Sequence, residues 1–260
     1  MNKGNILISI ITVVYNGEKH LEQTIQSVLN QTYPSVEYIL IDGGSKDGTL
    51  DIIKKYDDKI AYWISEKDNG IYDAMNKGIL AATGEWINFM NAGDTFANED
   101  TIEKVFSKSK YDDTDIIFGN SIIKFLNNDV LRVTTSGEIE QLAYAPIYRH
   151  GASFVRSSVH KSNLFDLSQK KFGYALDFYC INTLYFKNYQ FQKIEEDILV
   201  YLNDGVSNHP LKNNYYNFII SIENKFTFKA VAIFIKRILV WSILSIKRSL
   251  IKSVKTIFFS

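Results

Sequence analysis

The chain has 260 residues, enough for one substantial core and a small appendage, and Lys+Arg and Asp+Glu both total 29, a formal net charge of zero. The balance is uneven: no acid follows Glu223, while Lys225, Lys229, Lys236, Arg237, Lys247, Arg248, Lys252 and Lys255 give the tail +8 and leave the first 224 residues at −8. The acidic body gives no sign of binding nucleic acid, the single Cys180 rules out a disulfide framework or a cysteine-based zinc site within one chain, and no run approaches 18 uncharged apolar residues.

The N-terminal MNKGNILISIITVVYN has an apolar run without a small-residue cleavage site, and reads as a strand rather than a signal peptide. Ile6 to Val14 is nearly all β-branched or apolar, as in a strand buried on both faces, and Tyr15-Asn16-Gly17 ends it. Leu21, Ile25, Val28 and Leu29 share one helical face. Val36 to Ile41 is a second strand, closed by Asp42-Gly43-Gly44-Ser45, and a short helix is expected over Gly48 to Tyr56. Ile60 to Ser65 is a third strand with the exit loop Glu66 to Gly70, and Ile71, Ala74, Met75, Gly78, Ile79 and Ala82 mark another helix. Trp86 to Met90 is a fourth strand, ending at Asn91-Ala92-Gly93-Asp94. This β-α-β-α-β-α-β order predicts an α/β fold with a parallel sheet and polar exits converging on one edge. The expected elements beyond it are a helix over Glu99 to Ser107 and a strand over Asp115 to Asn120. A hairpin would join Ile122–Phe125 to Val130–Thr135 across Leu126-Asn127-Asn128-Asp129. A helix over Phe172 to Tyr185 and a strand within Phe191 to Tyr201 follow.

Ligands in open α/β sheets sit at the carboxyl edge of the strands, which is where Asp94 falls. A carboxylate there, with room for phosphate oxygens and water, suits a hard divalent cation. No GxGxxG follows the first strand, and Gly43 and Gly48 have P-loop spacing but are followed by Thr49 where a phosphate-binding Lys is required. The simplest remaining phosphate-binding device is a metal ion.

Five motifs in order carry a resemblance: Thr12-Val13-Val14-Tyr15-Asn16, Asp42 to Gly48, Ser65 to Gly70, Ile71 to Gly78, and Asn91-Ala92-Gly93-Asp94. Together they resemble a family 2 glycosyltransferase of the GT-A fold, of the type that builds bacterial surface polysaccharides. Thinner matches follow at Tyr174-Ala175-Leu176-Asp177 and Asp204-Gly205-Val206-Ser207. The implied fold is a Rossmann-like, mostly parallel sheet flanked by helices, with a C-terminal amphipathic helical tail. Residues 1–212 form the GT-A domain, divided into a nucleotide-sugar half (1–98) and an acceptor half (99–212), and residues 213–260 form the tail.

The resemblance also implies roles. Thr12, Tyr15, Asn16 and Asp42 hold the nucleoside, and Asp68 contacts uridine or ribose. Asp73, Asn76 and Lys77 share a helix face beside the sugar diphosphate, where Lys77 meets phosphate as a point charge. Asn91 and Asp94 occupy the metal-binding turn, usually a DxD. Because its first position is Asn, one carboxylate holds Mg²⁺ or Mn²⁺, and the metal is expected to arrive with the nucleotide. Asp177 is the expected base for the attacking hydroxyl, with Asp166 and the Glu195-Glu196-Asp197 cluster as rivals. His150, in Arg149-His150-Gly151-Ala152-Ser153-Phe154, is expected on the acceptor side.

The tail from Phe226 to Phe259 alternates apolar blocks with basic pairs, its longest uncharged run is nine residues, and Trp241 lies within it. That pattern suits lying on an anionic leaflet rather than spanning it. The expected function is inverting transfer of a sugar, most simply from a UDP-sugar, to a hydroxyl of a lipid-linked oligosaccharide. This would take place in capsule, O-antigen or exopolysaccharide synthesis at the cytoplasmic face of the inner membrane. The competing expectation is a non-catalytic nucleotide-binding or membrane-associated assembly module with the same fold, motivated by Asn91.

Overall fold

A computed structural model describes residues 6–107, 111–124, 131–202, 210–224, 228–240 and 242. The Asp204 to Ser207 match, the 126–129 hairpin loop, Trp241 and the tail beyond residue 242 lie outside the described residues.

The first half forms as its periodicity dictates. Strands β1 (Ile8–Val14), β2 (Val36–Asp42), β3 (Tyr62–Ser65) and β4 (Trp86–Phe89) lie in the order β3-β2-β1-β4, and every pair among them is parallel. Alternate residues serve opposite faces. Ile8, Ile10, Tyr38, Leu40 and Trp86 meet helices α1 (Leu21–Leu29), α2 (Thr49–Lys55) and α4 (Thr101–Phe106). Ile11, Val13, Ile39, Ile41, Ile87 and Phe89 face α3 (Ile71–Ala81), in a cluster that also takes in residues of α6 (Leu176–Phe186) and Ile220 of α7 (Pro210–Asn224). A sheet covered on both sides needs apolar residues at odd and even positions alike, which is why these strands read as continuous hydrophobic runs.

Beyond β4 the sheet is mixed. Strand β8 (Ser153–Arg156) lies antiparallel to β4 and to β6 (Ile116–Lys124), β9 (Phe191–Leu202) runs parallel to β6, and β5 (Thr95–Phe96) lies antiparallel to β9. The parallel pairing expected of the β-α alternation thus belongs to β1–β4. Strand β6 absorbs both the strand expected over 115–120 and the first arm of the hairpin. It pairs with β7 (Leu131–Thr134) through Ser121↔Thr134. Besides short 3-10 turns, the unanticipated elements include the two-residue β5, β8, and α5 (Ser157–Ser162), which follows β8 without a loop. The helix expected from Phe172 starts at Leu176, because Gly173 (φ 53°) breaks the preceding 3-10 segment 167–175.

Helix α7 straddles the boundary expected at residue 212. Its Ile220 is fully buried in the same cluster as Phe172 and Phe178, which contributes on the order of 2 kcal/mol of burial to the body. A further helical stretch, residues 228–240, follows, with Phe234 stacked on Phe218 of α7 at 4.3 Å. No helix among the described residues is long and apolar enough to cross a membrane.

Candidate functional site

The parallel register sets Val14, Asp42 and Ser65 side by side at the carboxyl ends of β1, β2 and β3. The Asp42 carboxylate is fully buried and accepts four hydrogen bonds, from Gly44 N (3.1 Å), Ser45 N (3.0 Å), Ser45 Oγ (2.5 Å) and Ser65 Oγ (2.5 Å). It therefore fixes the shape of the β2 exit rather than facing solvent. Asn16, in the left-handed region at φ 49°, ties the β1 exit to that turn. Its N–H donates to Ser45 Oγ (2.7 Å) and its Oδ1 accepts from Lys46 N (2.9 Å). Tyr15 stands beside this stitch and is 63% exposed, with its ring available to a base. Asp68 closes the edge from the β3 side, its carboxylate filling the space a side chain at 43 would take, since a Cβ on Gly43 would lie 2.4 Å from Asp68 Oδ2.

The start of α3 continues this edge. Asp73 accepts from Asn69 N (2.8 Å) and Asn69 Nδ2 (3.1 Å), which holds the β3–α3 loop. Lys77 pairs with Glu66 at 2.7 Å, and that hydrogen bond holds its pKa above the usual lysine value. Asn76 is committed elsewhere, since its amide exchanges two 2.9 Å hydrogen bonds with the Phe165 backbone, clamping α3 to the segment before α6. Thr12 is fully buried, with its hydroxyl 3.0 Å from Tyr38 Oη and donating to Met90 O at 2.7 Å. Its even position on β1 turns it toward the α1–α2 layer, so it braces the strand ends and does not join the edge.

The turn after β4 lies against β1, with Met90 N donating to Ile11 O at 2.9 Å. Gly93 (φ 101°) makes the reversal, and buried Thr24 of α1 pins it, accepting from Gly93 N (2.9 Å) and donating to Asp94 O (2.7 Å). Burial pushes the Asp94 carboxyl up to about 7, against the pull of Arg149. Asn91 Oδ1 is buried with no hydrogen-bond partner among the described residues.

Asn91 also lines a cavity of about 430 Å³ that brings in Tyr72, Arg149, His150 and Asp177. Asp177 opens α6. Its N–H donates to Tyr72 Oη (3.3 Å), and its Oδ1 accepts from Phe178 N (2.6 Å). Burial raises its carboxyl to about 6, offset in part by the Phe178 N–H and by Arg149. His150 stacks on Phe89 at 4.9 Å, and burial lowers it to about 4, so it is neutral near pH 7. Asn88 of β4 holds this segment by donating to Gly151 O (2.9 Å) and Ser153 O (2.8 Å). The cavity thus unites Asn91, His150 and Asp177, while Tyr15, Asn16, Asp42, Asp68, Asp73 and Lys77 gather at the sheet edge.

Two residues here escaped the sequence reading. Arg149 donates to Tyr201 Oη at 2.8 Å, lies 4.3 Å over that ring, and acts electrostatically on both Asp94 and Asp177. Tyr72 positions Asp177. Both stood inside quoted motifs, but nothing local marks an Arg or Tyr whose partners are far away in sequence. Among the described residues no three His, Cys, Asp or Glu side chains cluster to hold a metal. The Asp94 carboxylate and the unpartnered Asn91 oxygen, on one turn, still offer hard donors that fit Mg²⁺ or Mn²⁺ when substrate oxygens complete the set.

A helix-flanked sheet whose parallel strands end in a polar edge, with an acid-bearing cavity beside it, is the GT-A architecture. A family model described as "Glycosyl transferase family 2" matches residues 9–185, and the chain belongs to that family. It is 33% identical over 174 residues to an uncharacterized glycosyltransferase of Mycobacterium tuberculosis (strain CDC 1551 / Oshkosh), covering 66% of this chain and 63% of the relative. A PGL/p-HBAD biosynthesis glycosyltransferase of Mycobacterium bovis (strain BCG / Pasteur 1173P2) is 30% identical over 154 residues, covering 58% of this chain and 59% of the relative. The chain thus spans less than two thirds of the length of these relatives. Among solved structures, S. aureus TarS 1-349 in complex with UDP-GlcNAc superposes with a TM-score of 0.63 at 17% identity, covering 84% of this chain and 66% of the other. The mannosyltransferase PcManGT of Pyrobaculum calidifontis, in complex with GDP-Man and Mn²⁺, does so with a TM-score of 0.65 at 14% identity, covering 90% and 69%.

Proposed function

We propose that this chain is an inverting glycosyltransferase that moves a sugar from a nucleotide-sugar, a UDP-sugar in the first instance, to an acceptor hydroxyl. The observation that carries the reading is one cavity lined by both Asn91, from the donor-side turn, and Asp177, a half-buried carboxyl raised to about 6. Asp177 takes the proton of the acceptor hydroxyl. The hydroxyl oxygen forms its bond to the anomeric carbon as the bond to the diphosphate oxygen breaks, the electron pair leaves with the nucleotide, and the configuration inverts. Tyr15 and Asp68 receive the nucleoside, Asp42 shapes their loops, and Lys77 shifts from Glu66 toward phosphate. Asp94, with Asn91 beside it, would hold Mg²⁺ or Mn²⁺, which supplies charge neutralisation on the leaving diphosphate. The relative named for PGL/p-HBAD biosynthesis supports a biosynthetic role. The acceptor in this reading is a lipid-linked saccharide of surface-polysaccharide synthesis. The enzyme works peripherally at the cytoplasmic face of the inner membrane, its basic tail against anionic lipid.

The test is binding and hydrolysis of UDP-, GDP- and dTDP-sugars with and without Mn²⁺. Metal-dependent release of one nucleotide, abolished by Asp94→Ala, is expected. Asp177→Asn should abolish transfer while nucleotide binding survives. Full activity in either variant removes that residue from its role, and failure to bind any of the three donors sinks the reading.

A further inference from the structure

The cavity that holds Asp177 contains a second cation, and among the described residues this one has no ion-pair partner. Arg237, on the helix of residues 228–240, lines the cavity beside Asn214 and Asn217 of α7. The other arginines described with side chains are partnered: Arg156 pairs with Glu85 at 2.7 Å and covers Trp86, and Arg149 is bound to Tyr201. Among the described residues Arg237 has neither an acidic nor an aromatic partner. A guanidinium drawn out of water without an anion is costly, and a protein keeps one there when a ligand supplies the anion.

We infer that the acceptor carries an oxyanion, a phosphate ester or a carboxylate, and that Arg237 receives it inside this cavity. The inference rests on the glycosyltransferase reading and adds the acceptor's charge to it. Burial pulls the Arg237 pKa below the usual guanidinium value, and no acid offsets that pull. Arg149 acts on both Asp94 and Asp177, whereas Arg237 acts on neither, so the two cations serve different regions. Arg149 belongs with the donor turn and the base, and Arg237 with the wall built by α7 and the helix that follows it. A cavity of about 430 Å³ accommodates a sugar-sized group together with an oxyanion. The planar fork of the guanidinium matches phosphate or carboxylate through two parallel hydrogen bonds, with Asn214 and Asn217 supplying further donors.

The experiment is equilibrium binding to the full chain with saturating UDP, which keeps the probes out of the donor edge. The probes are glucose 1-phosphate, glucuronate and glucose. One of the two anions is expected to bind at least tenfold tighter than glucose. The winning arm names the group, phosphate ester or carboxylate. Arg237→Gln should erase the preference, and Arg237→Lys should restore part of it. Equal binding of all three probes to the wild-type chain, or a preference that survives Arg237→Gln, overturns the inference. If Arg237→Gln no longer unfolds cooperatively, the wild-type comparison and Arg237→Lys decide. UDP binding by the wild-type chain is scored separately. Its absence removes UDP as the donor nucleotide and leaves the cavity to be judged by the same probes titrated with GDP or dTDP in its place.

Discussion

Two carboxyls, Asp94 and Asp177, are raised by burial to about 7 and about 6 from an ordinary value of 3.8, and each has its own pH signature. For Asp177 as base, turnover should fall as pH drops through about 6, because the protonated carboxyl accepts nothing. Asp177→Asn should cost a factor of about 10² to 10⁴ in transfer, read as initial rates across pH. For Asp94 the linkage concerns stability. Between 3.8 and about 7 the folded chain holds a proton that the unfolded chain has lost, so stability declines as pH rises through that window. Asp94→Asn removes this penalty and should stabilise the ligand-free protein at pH 8 by on the order of 2 kcal/mol once screening is allowed for. Below pH 3.8 there should be no gain. Urea unfolding at the two pH values checks it, and an equal shift at both would assign the effect to packing instead.

At the scale of elements, the site depends on loops that touch because their residues are small or reciprocally bonded. Gly43 lies so close to Asp68 that Gly43→Ala must displace the Asp68 carboxylate. Nucleotide affinity should fall at least tenfold, while the unfolding midpoint changes little because both loops are near the surface. Titration with UDP beside a thermal melt separates the two, and unchanged affinity would mean that Asp68 does not face the nucleoside. The donor turn depends in the same way on Thr24, whose hydroxyl both accepts from Gly93 N and donates to Asp94 O. Thr24→Val leaves both backbone groups unsatisfied and should destabilise the protein by about 1–3 kcal/mol by chemical denaturation.

Across the whole molecule, α7 belongs to the core as much as to the tail. Ile220→Ala should cost about 2–4 kcal/mol in urea unfolding, because a fully buried side chain leaves a hole where α7 packs on α6 and the 167–175 segment. A chain ended at residue 212 would lose that packing and confuse instability with lost membrane contact. A chain ended after residue 240 keeps α7 and Arg237 and discards Lys247, Arg248, Lys252 and Lys255. It should float with anionic vesicles less than the full chain does, by roughly 1 kcal/mol of affinity for each lost charge that faces the lipid. Equal flotation would assign lipid contact to the body. The exposed Phe228, Ile235 and Leu239 on the retained helix are where such contact would then be sought.

Residues 6–94 were legible because their information is local. Continuous apolar runs, helical spacing and Gly/Asp/Asn exits determine β-α alternation, and parallel connection then brings the exits to one edge. The polar edge and the Asn91–Asp94 turn followed from that order alone. Tertiary structure decided what depends on partners distant in sequence. Strand parity turned Thr12 inward, and reciprocal bonding spent Asn76 on the Phe165 backbone. The pairing of β8 with β4 carried His150 onto Phe89, and packing of α7 on α6 put Asp177, Asn91 and Arg237 around one cavity. A residue's type sets what chemistry it can perform. Which groups face it, and how much water remains between them, arises only when segments far apart in the chain are packed together, and no local pattern records that.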